Sequence, residues 1–196
     1  MPARILRPSL SLQSSQDFLG AYSFDPHISE IRNKTTNSRV LLVGSDGWDS
    51  LQEGLYKKFS SGATVIILEM GVAYGSTIAS QTATELQSGE SRARSFAKLC
   101  GLITNAGWGT LSLSGDLEDG SSIVILVKNC VFCNKNHPNY PCNFLRGVGL
   151  GLASVLYQQP YKSSENCHLG KDEHFCKIEL QASKLRNWSA KFQQAP

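Results

Sequence analysis

The chain has 196 residues, 41% hydrophobic and 18% charged, a composition that suits one folded domain with its own core and excludes disordered and fibrous classes. Its net charge of +3, without any block of like charges, is too small for the basic footprint of a dedicated nucleic-acid binder. No apolar run of signal-peptide length follows Arg4 and Arg7, and the longest apolar stretches, near Thr64–Ile78 and Val148–Leu156, fall short of the roughly 20 residues a spanning helix needs. Glu69 also interrupts the first of them. The expectation is a cytoplasmic protein with no membrane span. Six cysteines in a reducing compartment are not a disulfide framework and must be read by spacing. The triplets Asn33-Lys34-Thr35 and Asn187-Trp188-Ser189 would matter only in a secreted protein and read as chance.

In chain order, residues 1–37 are polar and broken by Pro8, Gly20 and Pro26, which reads as an extension with one short helix or strand. Arg39–Val43 suits a strand, and the turn Gly44-Ser45-Asp46-Gly47 leads into a helix Trp48–Phe59 that Asp46 or Asp49 can cap. From Ala63 to about Leu86, Ile66, Met70, Ala73 and Thr77 and, one step round, Ile67, Tyr74 and Ile78 recur at helical spacing, which predicts a long, mostly buried helix. Gly71 and Gly75, four apart on it, let another helix or a ligand approach the backbone closely, and helix packing is the simpler reading. A third helix covers Ser91–Asn105 through Phe96, Leu99 and Ile103. Gly107-Trp108-Gly109 leads into a strand through Leu113, and Asp116–Ser121 turns into Ile123–Val127 as an antiparallel hairpin. A fourth helix, about Cys142–Tyr157, precedes two strands, Asn166–Leu169 and His174–Leu180. Helices, hairpin, helix and hairpin in that order predict an α+β fold rather than a βαβ alternation.

Gly147-Val148-Gly149-Leu150-Gly151 is not a dinucleotide fingerprint, because its third glycine comes one place early and no strand leads into it. It reads as a helix face packed against a neighbour. The phosphate-binding loop, zinc-protease helix and hydrolase elbow are all missing. Cys100 stands apart from the other cysteines and reads as a buried structural thiol.

The other five cysteines carry the specific signal. Cys130 and Cys133 are separated by two residues, Cys142 follows after eight, Cys167 after twenty-four and Cys176 after eight more. A hairpin centred on Lys171-Asp172 makes Cys167 and Cys176 direct cross-strand partners. Cys142 begins a helix, where the macrodipole favours thiolate, and Cys130 and Cys133 form a short chelate upstream. Soft ligands in closed tetrahedral geometry point to structural Zn²⁺. The alternatives are buried thiols without metal, a Cys167–Cys176 disulfide, or an iron–sulfur cluster, for which ferredoxin-type spacing is lacking.

Cys142-x-Phe144-x-x-Gly147-x-x-x-Gly151, followed by Glu165-Asn166-Cys167-His168-x-Gly170-x-Asp172-x-x-Phe175-Cys176-x-Ile178, resembles the C-terminal signature of the 4-vinyl reductase (V4R) domain family. The resemblance spans roughly Ser38–Gln181, leaving residues 1–37 as the extension and 182–196 as a tail. It implies a twisted antiparallel sheet packed with helices, the α+β fold shared with TRAPP vesicle-tethering subunits, often dimeric, enclosing an apolar ligand cavity. In the phenol-sensing activators of that family, three matching cysteines and an upstream glutamate bind zinc. Here Cys142, Cys167 and Cys176 match, but Ile123–Asn129 holds no acid. Cys133, or alternatively Cys130, is then the expected fourth ligand.

The resemblance implies a zinc-containing sensory domain for a small apolar or aromatic ligand, with a second copy and a regulatory protein as its expected partners. Tyr74, Phe96, Leu99, Trp108 and Phe144 are the candidates to line its pocket, with the glycine-bearing helix as one wall. Two other classes stay open: an enzyme or accessory protein of tetrapyrrole or cofactor metabolism, without an identifiable acid–base pair, and a structural subunit like the tethering proteins.

Overall fold

The computed structural model of the chain describes residues 20, 22–28, 30–34, 38–83, 90–133, 142–169 and 174–183. Strands β1 (Tyr22–Asp25), β2 (Glu30–Asn33) and β3 (Arg39–Val40) form a small antiparallel sheet in that order. The pairing Ile31↔Val40 ties the expected extension to the expected domain across residue 38. Only Arg39 and Val40 of the expected first strand are paired; Leu41, Leu42 and Val43 run on as exposed, irregular chain.

Helix α1 (Ser45–Phe59) starts three residues earlier than expected, from Gly44, and no side chain caps it. Asp46 lies inside the first turn and Lys57 and Lys58 in the last, each where it complements the helix dipole. The chain reverses at Ser60, whose φ of 49° is left-handed, and enters α2 (Gly62–Ala83). Ser91 caps α3 (Arg92–Asn105) by accepting from the Arg94 backbone N–H at 3.3 Å, and α3 buries Phe96, Leu99, Cys100 and Ile103.

Strands β4 (Thr110–Gly115) and β5 (Ser122–Lys128) form the expected hairpin. Helix α4 (Asn143–Tyr157) follows, then β6 (Tyr161–Leu169) and β7 (His174–Ala182), both longer than their sequence pattern suggested. The main sheet is antiparallel throughout, in the order β4-β5-β7-β6. Alternate residues face the core: Leu111 and Leu113, then Ile123, Ile125 and Val127, then Cys176, Ile178 and Leu180. The turn between β4 and β5 is pinned from the end of α4 and the start of β6, where Tyr157 donates its hydroxyl to the Leu117 carbonyl and Tyr161 donates to that of Gly120.

Helix α4 lies between this sheet and α2, which explains its three glycines. The Gly149 position faces Ile125 and Leu180 of the sheet, whereas Gly147 and Gly151 meet α2 backbone to backbone. A Cβ on Gly147 would lie 2.1 Å from the Leu68 carbonyl oxygen, and one on Gly71 would lie 2.1 Å from that of Phe144. Gly75 and Gly151 face Val148 and Val72 carbonyls at 2.3 Å in the same sense. No side chain fits, so the helices close to main-chain contact over two turns. Gly75 is therefore filled by α4, not available to a ligand as the wall expectation had it.

The burial expected of α2 is half corrected by this arrangement. Its inward face is Ala63, Ile67, Gly71, Gly75 and Ala79, while Val65, Ile66, Met70, Ala73, Tyr74 and Thr77 are exposed. The helix is apolar on both sides, and from Gly62 to Gln81 it is long and apolar enough by composition to cross a membrane, which corrects the expectation that this stretch is too short.

Candidate metal centre and its aromatic surround

Five of the six cysteines converge where three segments meet at one end of the sheet. Asn129, with φ at 53°, turns the chain out of β5 into the loop carrying Cys130 and Cys133. The Val131 N–H donates to the Trp108 carbonyl at 3.1 Å and the Cys133 N–H to that of Cys130 at 3.4 Å, so the short chelate is held by its own backbone. Cys142 is the N-cap residue of α4. Cys167 and Cys176 stand directly opposite each other on β6 and β7, as the turn spacing predicts.

The sulfur atoms of Cys130, Cys133, Cys142 and Cys176 all lie within 4.8 Å of one another. Individual separations are 3.1 Å for Cys130–Cys142 and 2.8 Å for Cys133–Cys176. Cys167 lies at the edge, 3.0 Å from Cys176 and 3.7 Å from Cys133. A tetrahedral ion with metal–sulfur bonds near 2.3 Å would set sulfurs about 3.8 Å apart, so the donor set and its spacing fit a metal ion. The tight group differs from the expected quartet of Cys133, Cys142, Cys167 and Cys176 by holding Cys130 inside and Cys167 at the rim.

The thiols also titrate as a group. The hydrogen bond from Cys133, ahead of those from Cys142 and Cys176, holds Cys130 well below the usual thiol range, and bonds from Cys133 and Cys176 bring Cys167 down to about 3. Cys133, Cys142 and Cys176 are pushed up, each chiefly by its bond to Cys130. The cluster thus shares protons that a cation would displace. Cys100 is different: it is fully buried in the core, and burial alone pushes its thiol up to about 12.

An acid does stand at this centre, on β6 rather than on Ile123–Asn129. Glu165 accepts the Cys142 backbone N–H at 2.7 Å and the Cys167 thiol at 3.6 Å through Oε1. Its Oε2 faces Arg146 Nε at 3.7 Å but makes no hydrogen bond among the described residues. Burial first, then the neighbouring Cys167 charge, raises its carboxyl to about 7. The signal in the sequence was its position two residues before Cys167, which puts both side chains on one face of a strand.

Beside the thiols lies a cluster of five aromatic rings. Phe132, between Cys130 and Cys133, packs edge-on against Trp48 of α1 and Trp108 at 5.2 and 4.9 Å between centroids, and against Phe144 at 5.0 Å. Tyr74 meets Trp108 at 5.3 Å and Phe144 at 6.0 Å. Gln52, the one buried residue of α1, donates to the Phe132 carbonyl at 3.4 Å. Trp48 Nε1 and Asn143 Oδ1 are buried without a hydrogen-bond partner among the described residues. Of the five expected pocket residues, Tyr74, Trp108 and Phe144 come together here. Phe96 and Leu99 lie apart, fully buried on α3, with the Phe96 ring next to Tyr157 at 6.1 Å.

No family profile and no curated protein matches the chain. Among solved structures, the fold is similar to the phenol-responsive sensory domain of the transcription activator PoxR, crystallised with phenol, at 16% identity and a TM-score of 0.69 over 85% of this chain and 87% of that one. A trafficking protein particle complex subunit 3 from Naegleria fowleri, covalently bound to palmitic acid, gives 15% identity and a TM-score of 0.45 over 70% of this chain and 92% of that one. A Cs H-NOX mutant gives 11% identity and a TM-score of 0.46 over 90% of each chain. The chain therefore has the α+β fold of the PoxR sensory domain.

Proposed function

We propose that this chain is a ligand-sensing regulatory domain of V4R type, held together by one structural Zn²⁺ and taking a small apolar or aromatic molecule. The observation that carries the reading is the junction of two features on a sensory-domain fold: four thiols within 4.8 Å of one another, and aromatic rings of Trp48, Tyr74, Trp108, Phe132 and Phe144 packed against the loop that carries two of them. Cys130, Cys133, Cys142 and Cys176 would hold the ion, which supplies a fixed crosslink between three chain segments and no open position for chemistry. The unpartnered Trp48 Nε1 and Asn143 Oδ1 offer a donor and an acceptor to a hydroxylated aromatic ring.

Native mass spectrometry of the reduced protein tests the reading, since it reports metal, retained ligand and subunit number together. One zinc per chain and thermal stabilisation by apolar or phenolic compounds are expected, because a ligand that binds only the folded state raises stability by mass action. Absence of zinc after expression in zinc-supplemented medium would end the metal reading, and a screen without stabilisers would end the sensory one. The exposed Val65, Ile66, Met70 and Tyr74 on α2 support a homodimer as the working assembly. Met70→Lys should then yield a folded monomer in sedimentation velocity. The free thiols suit a reducing compartment such as the cytoplasm.

A further inference from the structure

Three side chains spaced four residues apart, Trp48, Gln52 and Tyr56, form one inward stripe of α1. Each of them ends on a residue within two positions of a cysteine of the centre. Resting on the metal reading above, we propose that α1 is a latch over the aromatic cluster, docked while the thiol centre holds its ion and released when the ion is withdrawn.

The contacts of the stripe carry this. The Trp48 ring lies 5.2 Å from that of Phe132, which stands between Cys130 and Cys133, and 4.9 Å from that of Phe144, two residues after Cys142. Gln52 donates through Nε2 to the Phe132 carbonyl at 3.4 Å. The Tyr56 hydroxyl accepts from Nδ2 of Asn143, the residue after Cys142, at 3.2 Å and shares a hydrogen bond of 3.3 Å with the Thr64 hydroxyl. Little else holds the helix. Gln52 is its one buried residue, Leu55 reaches the core only in part, and Leu51 and Phe59 are 58% and 46% exposed.

A surface helix owes its stability to the partners it packs against. For α1 those partners ride on the Cys130–Cys133 loop and on the head of α4, two separate segments that an ion bound by Cys142 and by Cys130 or Cys133 would fix against each other. The choice among the remaining sulfurs does not enter. The chain on either side of α1 can take up the motion: Leu41, Leu42 and Val43 are exposed and outside any strand, and a turn at Ser60 separates α1 from α2. Release lifts the Trp48 ring from Phe132 and Phe144 and uncovers that side of the cluster. The coupling is reciprocal. Whatever factor the ion contributes to docking of α1, docked α1 returns to the affinity for the ion. Residues that never touch the ion should therefore set how tightly it binds.

The test is hydrogen–deuterium exchange by mass spectrometry on the reduced full chain, isolated with zinc and compared before and after chelation. Peptides covering Ser45–Phe59 should exchange about tenfold or more faster without zinc. The change should exceed that in α3, whose Phe96, Leu99 and Ile103 are buried in the core, and zinc ions added back should restore protection. Gln52→Ala should weaken zinc binding about fivefold or more, read by competition with a chromogenic chelator. Tyr56→Phe, which keeps the ring and loses the partner of Asn143, should act in the same direction and serves where Gln52→Ala does not fold. Leu51→Ala, on the outer side of α1, should bind zinc as the wild type does. Equal exchange of α1 with and without zinc, or an acceleration no greater than in α3, overturns the proposal, as does wild-type zinc affinity in the folded Gln52 and Tyr56 variants. A chain that takes up no zinc ends the metal reading and the latch with it, and is recognised by metal analysis before exchange begins. A chain that binds zinc while α1 stays indifferent to it ends the latch alone.

Discussion

The seam between α2 and α4 and the thiol centre lie at different parts of the same helix α4 and are built on opposite logic. In the seam, Gly71, Gly75, Gly147 and Gly151 work by having no side chain, and the contact is complete once two backbones meet. In the centre, Cys130, Cys133, Cys142, Cys167 and Cys176 crowd sulfur against sulfur, and protons or a cation must settle the charge between them. The first region is sufficient in itself; the second gathers ionisable groups whose charge has to be balanced.

The largest expected effect is on the spine. Gly147→Leu forces a Cβ to 2.1 Å from the Leu68 carbonyl oxygen, where no rotamer gives relief, so the helices must part. A loss of about 3 kcal/mol or more is expected from overpacking of this kind, to be read by urea unfolding. A variant with wild-type stability would show that the two backbones do not meet.

At the other region, Cys142→Ser removes a proposed metal ligand from the head of α4 and should lose metal and stability together, lowering Tm by about 10 °C. Chelation of the wild type should reproduce that fall and leave Cys142→Ser unmoved. Cys100→Ala is the matched control, preferable to serine because a hydroxyl would be buried in an apolar site, and it should keep its zinc while losing only about 1 kcal/mol. Equal metal content in the Cys142 and Cys100 variants would refute the assignment.

Phe132→Leu probes the joint between the thiol loop and α1. It should cost about 1.5 kcal/mol for the lost ring volume and shift the fluorescence of Trp48 and Trp108, whose rings it touches. An unaltered spectrum would mean that α1 does not rest on the loop. The smallest change expected is Tyr157→Phe, which deletes the hydrogen bond to the Leu117 carbonyl and should cost about 1 kcal/mol. It should leave zinc content untouched, since the turn it pins is remote from the thiols along α4.

How much could be read in advance follows the range of the interaction. The hairpin of β4 and β5, the span of α3 and the opposition of Cys167 to Cys176 all depend on residues near in sequence, and each is legible from turn spacing or period. The orientation of α2 is not. Its apolar residues run nearly all the way round, so periodicity cannot say which stripe faces inward, and Ile66, Met70, Ala73 and Thr77 are outside because the glycines are what α4 requires. For the same reason Tyr74 joins Trp108 and Phe144 while Phe96 and Leu99 go to the main core: all five are apolar, and only packing sorts them.

The sequence alone therefore determined the element types from α1 onward and the convergence of thiol-bearing segments, because helix and strand periods and cysteine spacing are local properties of the chain; it did not reveal β1 and β2. Tertiary structure decided which sulfurs come within reach of one another, that Glu165 stands among them, and which face of an almost uniformly apolar helix meets its neighbour. Those outcomes depend on segments brought together by packing, where an ångström of approach decides what fits.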